Sequence, residues 1–476
     1  MFEPVIQEIS IPDNIILRQQ SNVLRKVSCV DGILTTNERI DRNGLNARAH
    51  IAGLWGVSSS SHITVQNAKL LVYEAIKNAK MLSCCSKEQQ TKKFCHQATS
   101  RMPNNNIPRI GYVDVAQAII IEYVKRIDKY ISSTYKNICT RRVMIYVDGI
   151  EKFIRTHIYD DLLNSTTKRT CIYIEMGAYN SEGVVTTVAG RMGVPYEIDY
   201  WHTLMSDSMI VAERVYKRLI DKTQAQEACK GIFPCILHPD VAGILAHESI
   251  GHNVEADMVG KGSFVTRFLG NQIASEKVSI TDFAHTAFNE SAGLPLFVDD
   301  EGTICRDVSI IEKGKLVGYL HDCESAKRYH TVPSGNSRAY LAFDEPLIRM
   351  RNTALHPGVD RLADMISSID HGYYLLSSGG GQADSNGEFI FNVDMGYEIK
   401  NGKLSHAIKD TTISGNAVDI LSSITMVSND FIWDVTGLCS KFQSMILATG
   451  GPYVKCNLFL GKGVGWYERE YEISLP

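Results

Sequence analysis

The run Pro239-Asp240-Val241-Ala242-Gly243-Ile244-Leu245-Ala246-His247-Glu248-Ser249-Ile250-Gly251-His252-Asn253-Val254-Glu255-Ala256-Asp257 constrains this chain more than any other stretch. It sets two histidines, four carboxylates (Asp240, Glu248, Glu255, Asp257) and Gly251 into a segment that otherwise reads as a buried helix opening near Pro239. A helix advances about 100° per residue, so histidines four apart lie about 40° apart and can grip one ion. His247 and His252 are five apart, which separates them by about 140°. Both imidazoles reach one metal only if the helix widens or breaks between them, and Gly251 is the residue type that tolerates such a distortion. The spacing therefore predicts an irregular or ending helix, with Glu248 beside the first ligand and free to hold a water.

The rest of the chain sets the bounds. Its 476 residues suffice for two or three domains, and 44% hydrophobic with 21% charged residues is an ordinary globular composition. A formal net charge of −4 offers no electrostatic footprint for nucleic acid or an anionic membrane. No apolar run approaches the roughly 20 residues of a membrane span. Met1 to Glu8 lacks the basic-then-apolar order of a signal peptide, so the expectation is a cytoplasmic protein. Twelve cysteines at irregular spacing, with no Cys-x-x-Cys pair, indicate neither a disulfide framework nor a zinc ribbon.

In chain order, residues 1 to about 17 read as a leader lying on the surface of something else. Residues 18 to 60 alternate polar and apolar positions, with turn signals at Asp31-Gly32 and Arg42-Asn43-Gly44 and a further strand over Asn46 to Val57. Thr64 is an N-cap for a helix over Val65 to Met81. Residues 82 to 109 read as a surface loop or linker, and Val113 to Tyr135 as a second helix. Strands over Val143–Val147 and Lys152–His157 are expected to form a hairpin through Asp148-Gly149, followed by strands at Cys171–Glu175 and Gly183–Gly190. A third helix is expected over Ser206 to Asp221, capped by Ser206 or Asp207. Beyond the opening helix, short strand-like runs follow at Leu294–Asp299, Val308–Glu312, Leu316–Leu320, Phe389–Val393 and Tyr397–Ile399, punctuated by Lys313-Gly314-Lys315 and Lys400-Asn401-Gly402-Lys403. The expected fold class is α+β: N-terminal α/β sheet-and-helix regions, then a mainly antiparallel β domain carrying the metal helix. The expected divisions are 1–109, 110–231 and 232–476.

His-Glu-x-x-x-His is similar to the zinc-protease signature His-Glu-x-x-His with one residue added. Two imidazoles do not complete a catalytic zinc site, which takes three protein ligands and an open position. A thiolate suits zinc, and on residue chemistry alone Cys439, Cys456, Cys305 and Cys323 are equal candidates. The glycine-rich run Ser377-Ser378-Gly379-Gly380-Gly381-Gln382 lacks the Lys-Ser/Thr ending of a phosphate loop, and fits a close approach by an extended peptide at Gly380 and Gly381. Asn336, Arg338 and Arg351 are either binders of peptide carbonyls or a terminal carboxylate, or structural. Glu255 and Asp257 either orient the histidines or close the helix.

Seven landmarks in one order carry a resemblance to the TldD side of the TldD/PmbA (TldE) metallopeptidases. They are His247–Asp257, Asp299-Asp300-Glu301-Gly302-Thr303, Gly335-Asn336-Ser337-Arg338, Arg349-Met350-Arg351-Asn352-Thr353, Gly379-Gly380-Gly381-Gln382, Met426–Asp430 and Gly437–Gln443. The resemblance runs from about Phe233 to the C-terminus. It implies Zn2+ as cofactor, Cys439 as the third ligand beside His247 and His252, and Glu248 as the base that takes a proton from water and passes it to the leaving amine. It also implies peptide substrates and a PmbA/TldE-like sister subunit, with a homodimer as the other assembly. Ser440-Lys441-Phe442-Gln443 departs from the resemblance, since the usual glycines after the cysteine are missing. Two other functions compete with an extended-peptide peptidase: a non-catalytic scaffold subunit, and an amide hydrolase dedicated to one modified peptide.

Overall fold

The computed structural model describes residues 4–85, 115–159, 161–195 and 200–462. The N-terminal half is one six-stranded antiparallel sheet. Its strands are β1 (Ile15–Val30), β2 (Ile33–Ile51), β3 (Leu54–Ser60), β4 (Thr140–Thr156), β5 (Leu163–Tyr179) and β6 (Val185–Pro195), in the order β3-β2-β1-β4-β5-β6. Helices α1 (Val65–Cys85), α2 (Gln117–Thr134) and α3 (Tyr200–Lys222) cover one face. Because β1 pairs with β4 along its whole length, the expected boundary near residue 109 falls inside a single sheet.

The period-2 alternation of strands sorts this sheet into two unlike faces. Leu17, Val27, Cys29, Val143 and Ile145 point to the helices. Arg18, Gln20, Asn22, Arg48, Lys152 and Arg169 point the other way, yet they too are buried. They are covered by the C-terminal half, so this sheet is enclosed on both faces and its polar face is an interface rather than a solvated surface.

That enclosure explains two misread turns. Asp148 and Gly149 lie within β4, where Asp148 faces Arg169 across the ladder and Gly149 faces Lys168. Asn43 and Gly44 lie within β2, where a Cβ on Gly44 would come within 2.8 Å of Ala342 Cβ. The hairpins turn instead at Asp31-Gly32, as expected, and at Ala52-Gly53, both with left-handed φ values of +50° and +87°. Other expectations shift as well. Ile6 and Ile9 are buried against α1 rather than riding on the surface. Thr64 does cap α1, its Oγ1 accepting from Asn67 N at 3.1 Å, while α3 starts six residues before Ser206, whose hydroxyl bonds Thr203 O inside the helix. The expected loop over 82–109 begins as the last turn of α1 and lies outside the described residues from 86 onward.

The second half opens with β7 (Gly231–Leu237) and α4 (Pro239–Ala246). β7 pairs with strands His371–Ala383 and Val454–Lys462. Val454–Lys462 pairs with Thr411–Asn416, and that strand with Glu388–Lys400, which returns to His371–Ala383 and closes a ring. Leu237, Tyr373, Leu375, Phe391, Ile413 and Leu458 belong to the core of this half. A separate six-stranded sheet runs in the order Lys315–Leu316, Val308–Glu312, Ile280–Phe283, Asn352–Leu355, Ala448–Gly451, Ile432–Asp434. Pairing is antiparallel except between Asn352–Leu355 and Ala448–Gly451, and between β7 and His371–Ala383. Leu294–Asp299 and most of Leu316–Leu320 are not strands. Helix α4 packs against both assemblies, closely enough that a Cβ on Gly243 would lie 3.0 Å from Gly450 N. The class is therefore α+β, with α4 wedged between ring and sheet.

The same close packing recurs at α1, where a Cβ on Gly56 of β3 would collide with the backbone of Ala75 and Ala79. Gly56→Ala should push the helix off the sheet and cost about 1–3 kcal/mol in chemical unfolding. Wild-type stability in that variant would contradict the helix-to-sheet contact.

Candidate metal centre

Helix α4 is capped by His238, whose Nδ1 accepts from Asp240 N at 3.3 Å, and runs regularly to Ala246. From His247 to Gly251 the backbone widens into a π turn, in which the His252 N–H reaches back five residues to His247 O. A 3-10 turn over His252–Val254 follows. The extra residue in the turn cancels the angular mismatch of the i,i+5 pair. The two imidazole centroids lie 4.7 Å apart with planes crossing at 74°. Gly251 serves this arrangement differently from the sequence-based expectation. Its φ and ψ of −52° and −51° suit any residue, but a Cβ there would collide with Met350 Sδ.

The third side chain arrives from a hairpin of Leu438–Lys441 and Gln443–Ile446, turning at Phe442 with φ +60°. Cys439 Sγ sits 3.1 Å from His252 Nε2. One ligand atom from each of His247, His252 and Cys439 lies within 4.8 Å of the others. The rival thiols are elsewhere: Cys456 faces Cys235 in the ring, Cys305 bonds Gly335 O, and Cys323 opens a short helix beside Thr303.

The surroundings set the charge states. His247 is buried, and burial together with the positive ends of His252 and Arg349 holds its pKa well below the usual imidazole value, so it presents a neutral lone pair as a metal ligand must. Burial works against a charge on His252, but the carboxylate of Glu255 and the thiol of Cys439 outweigh it and raise its pKa to about 10. Positive charge is thus favoured between Nε2 and Sγ. Glu255 Oε2 lies 3.4 Å from His252 Nδ1, which directs Nε2 toward the thiol in the manner of a carboxylate–histidine–metal relay. Glu255 stays ionised against its burial because His252 and Lys441 lower its pKa. Glu248 is half-buried; burial and Glu255 raise its pKa while His252 pulls the other way, a setting for a carboxylate that accepts a proton.

A tetrahedral metal fits these residues. Two imidazoles and a thiolate are a zinc donor set, and they converge here. His247 Nδ1 is buried with no hydrogen-bond partner among the described residues, a cost of about 1–3 kcal/mol for a group left unmet.

Three residues that sequence reasoning missed build the setting. Lys441 Nζ donates to Glu255 Oε2 at 2.7 Å, Asp257 Oδ1 at 2.9 Å and Ile348 O at 3.0 Å, tying the cysteine hairpin to the helix end. Strand alternation was the available signal, since residues 439 and 441 share a face. Arg349 Nη2 and Nη1 hold Cys439 O and Gln443 O at 3.0 and 2.8 Å, and Met350 packs on Gly251.

The expected peptide binders have other work. Asn336 Nδ2 donates to Asp282 Oδ2 and Arg349 O, and Arg338 donates to Met350 O and Ile446 O. Arg351 donates to the Asp282 carboxylate and to the carbonyls of Ser334 and Arg306. All three are buried, and the donors named here are taken up by the protein itself. Gly381 lies in His371–Ala383 where a Cβ would strike the Phe391 ring, and Gly380 precedes it in that strand.

Residues 230–459 match the family model described as the PmbA/TldA metallopeptidase C-terminal domain. The chain is 36% identical over 275 residues to a zinc metalloprotease TldD homolog of Saccharolobus solfataricus, covering 58% of this chain and 61% of that one. It is 37% identical over 242 residues to a metalloprotease TldD homolog of Buchnera aphidicola, covering 50% of each. The match thus spans about half to three-fifths of those two relatives. With a metalloprotease of Methanocaldococcus jannaschii it is 30% identical over 428 residues, covering 87% of this chain and 89% of the relative. Among solved structures, TldE from Thermococcus kodakarensis superposes with a TM-score of 0.75 at 17% identity, covering 94% of this chain and 96% of that one, a likeness of fold.

If Met350 is what excludes a side chain at residue 251, Gly251→Ala should cost about 1–3 kcal/mol, and adding Met350→Ala should return part of it. Strictly additive losses in that double-mutant cycle would remove Met350 from the explanation.

Proposed function

The chain belongs to the TldD/PmbA metallopeptidase family, and from that premise we propose that it is a zinc-dependent peptidase acting on unfolded or extended peptides. The observation that carries this reading is the convergence of His247, His252 and Cys439, with Glu248 next to the first of them in the chain. A zinc ion held by these three would lower the pKa of a bound water and polarise the scissile carbonyl. Glu248, with its raised pKa, would take a proton from the water on its carboxylate and hand it to the departing amine. Glu255 keeps the His252 ring oriented through Nδ1, and Lys441 keeps Glu255 in place. Gly380 and Gly381, on a strand that packs beside the π turn, are the proposed surface for an extended peptide.

A scaffold subunit has no use for a buried neutral histidine aligned with a second imidazole and a thiol, so those side chains favour catalysis. We propose a sister subunit of PmbA/TldE type or a second copy as partner, supported by the likeness to a solved TldE. A cytoplasmic site is proposed because the cysteines among the described residues are free thiols. No described helix is long and apolar enough to cross a membrane.

Purified protein should carry about one zinc per chain, and His247→Ala or Cys439→Ala should lose it, measured by elemental analysis after dialysis. Retention of full zinc by both variants would sink the ligand assignment. Glu248→Gln should keep its zinc and lose about 10²-fold or more in cleavage of an unstructured peptide; undiminished turnover would take Glu248 out of the mechanism.

A further inference from the structure

We infer that Arg169, in the N-terminal sheet, is a positioning residue for the third metal ligand, so that the N-terminal half of the chain sets the geometry of a centre whose histidines belong to the C-terminal half. The inference rests on the reading of His247, His252 and Cys439 as one metal centre.

The two kinds of ligand are anchored differently. His247 and His252 continue α4, which packs against Ala448–Gly451, Asn352–Leu355 and the ring strand His371–Ala383, all within the C-terminal half. Cys439 rides on a short two-stranded hairpin that pairs only within itself among the described residues. At the base of this hairpin the N-terminal sheet intervenes. Arg169 on β5 is 2% exposed, and its Nε and Nη2 donate to Asp148 Oδ1 and Oδ2 at 2.8 and 3.1 Å. That bidentate pairing fixes the plane of the guanidinium. The remaining Nη1 donates to Val435 O at 2.6 Å and to Gly437 O at 2.7 Å, the latter two residues before Cys439. Asp148 and Arg169 face each other across the β4–β5 ladder, so the fork stands on two adjacent strands of the sheet.

The far end of the hairpin is tied to the same sheet at one remove. Gln443 Oε1 accepts from Tyr340 N, and its Nε2 donates to Glu345 O. The Tyr340–Asp344 segment is itself gripped by Gln20 and Asn22 at Tyr340 O and by Arg18 at three carbonyls. From the C-terminal half two guanidiniums hold the hairpin, Arg349 at Cys439 O and Gln443 O and Arg338 at Ile446 O. Losing the Arg169 fork frees the base, and the Sγ then no longer keeps its place beside His252 Nε2.

An internal control separates positioning from stability. Arg141 makes an equivalent fork to Asp128, at 2.8 and 3.0 Å, but joins β4 to α2 on the helix-covered side, away from the hairpin. The test loads full-length protein with zinc or cobalt(II) alone and reads two things: metal affinity by competition with a chelator, and the thiolate-to-cobalt charge-transfer band, which reports Cys439 directly. Wild type should show the band and Cys439→Ala should lack it; a wild type without the band, or a Cys439→Ala variant with it, overturns the reading of the centre and the inference with it. Given that band, Arg169→Met should weaken metal binding by about 10–100-fold and diminish the band, while Arg141→Met keeps both. Should Arg169→Met fail to fold, Arg169→Lys, which keeps the charge but not the fork, takes its place with the same expectation. Wild-type affinity and band in the Arg169 variant, or equal losses in Arg141→Met, would overturn the inference while leaving the centre itself standing.

Discussion

The approach of Cys439 Sγ to His252 Nε2, between residues 187 apart in the chain, is the contact on which the rest of this structure depends. Neither segment can present its ligand alone. The helix needs a π turn to bring His252 round beside His247, and that turn is held where Met350 presses on Gly251. The hairpin carbonyls are held by Arg349 and Arg338 within its own half and, at its base, Gly437 O is held by Arg169 from the other half. The juxtaposition of these three side chains therefore rests on the packing of separate pieces of the chain.

The cost of that assembly is visible in the buried polar groups. Charges taken out of water are tolerated only when paired and hydrogen-bonded. Asp300 meets Lys152 and Arg18, Glu301 meets Arg48, Asp148 meets Arg169, and Asp282 meets Arg351, Asn336 and Thr353. Several of the sequence landmarks that carried the resemblance fall on these groups. Asp299 to Thr303, Gly335 to Arg338 and Arg349 to Thr353 form the polar seam around the Asp282 and Asp300 carboxylates. Their specificity as landmarks comes from geometry: a fork such as Arg351 on Asp282 cannot be replaced by another residue type without stranding a buried partner.

What was legible in the sequence follows from how local each cause is. The widened turn was legible because the angle between residues 247 and 252 is arithmetic on a helix, needing no knowledge of the fold. The reason for Gly251 was not, because its cause is Met350 from a distant strand end. Asp31-Gly32 and Asn401-Gly402 were read as turns and are turns, with left-handed backbone at both residues. Asp148-Gly149 carries the same signal and is mid-strand, because Arg169 on the neighbouring strand supplies what solvent would supply to a turn aspartate. Ala52-Gly53 turns without the usual asparagine or aspartate. The pairing of β1 with β4 was out of reach for a related reason: β4 lies beyond a long segment, and local pattern carries no pairing information. Cys439 was singled out by resemblance, and only the packing of the hairpin distinguishes it from the other thiols.

Lys441 poses the remaining physical question, since an ammonium beside the proposed metal ligands would oppose a cation there. Its ammonium lies 2.7 Å from Glu255 Oε2 and 2.9 Å from Asp257 Oδ1, with Ile348 O completing three acceptors for three donors. At such distances two carboxylates cancel the field of one ammonium at the ligands, and the group as a whole is net negative. Lys441 thus acts as a strut with its charge absorbed locally, and the excess carboxylate charge is passed through Glu255 to His252. Lys441 lies on the same side of the strand as Cys439, with Ser440 and Phe442 exposed on the other.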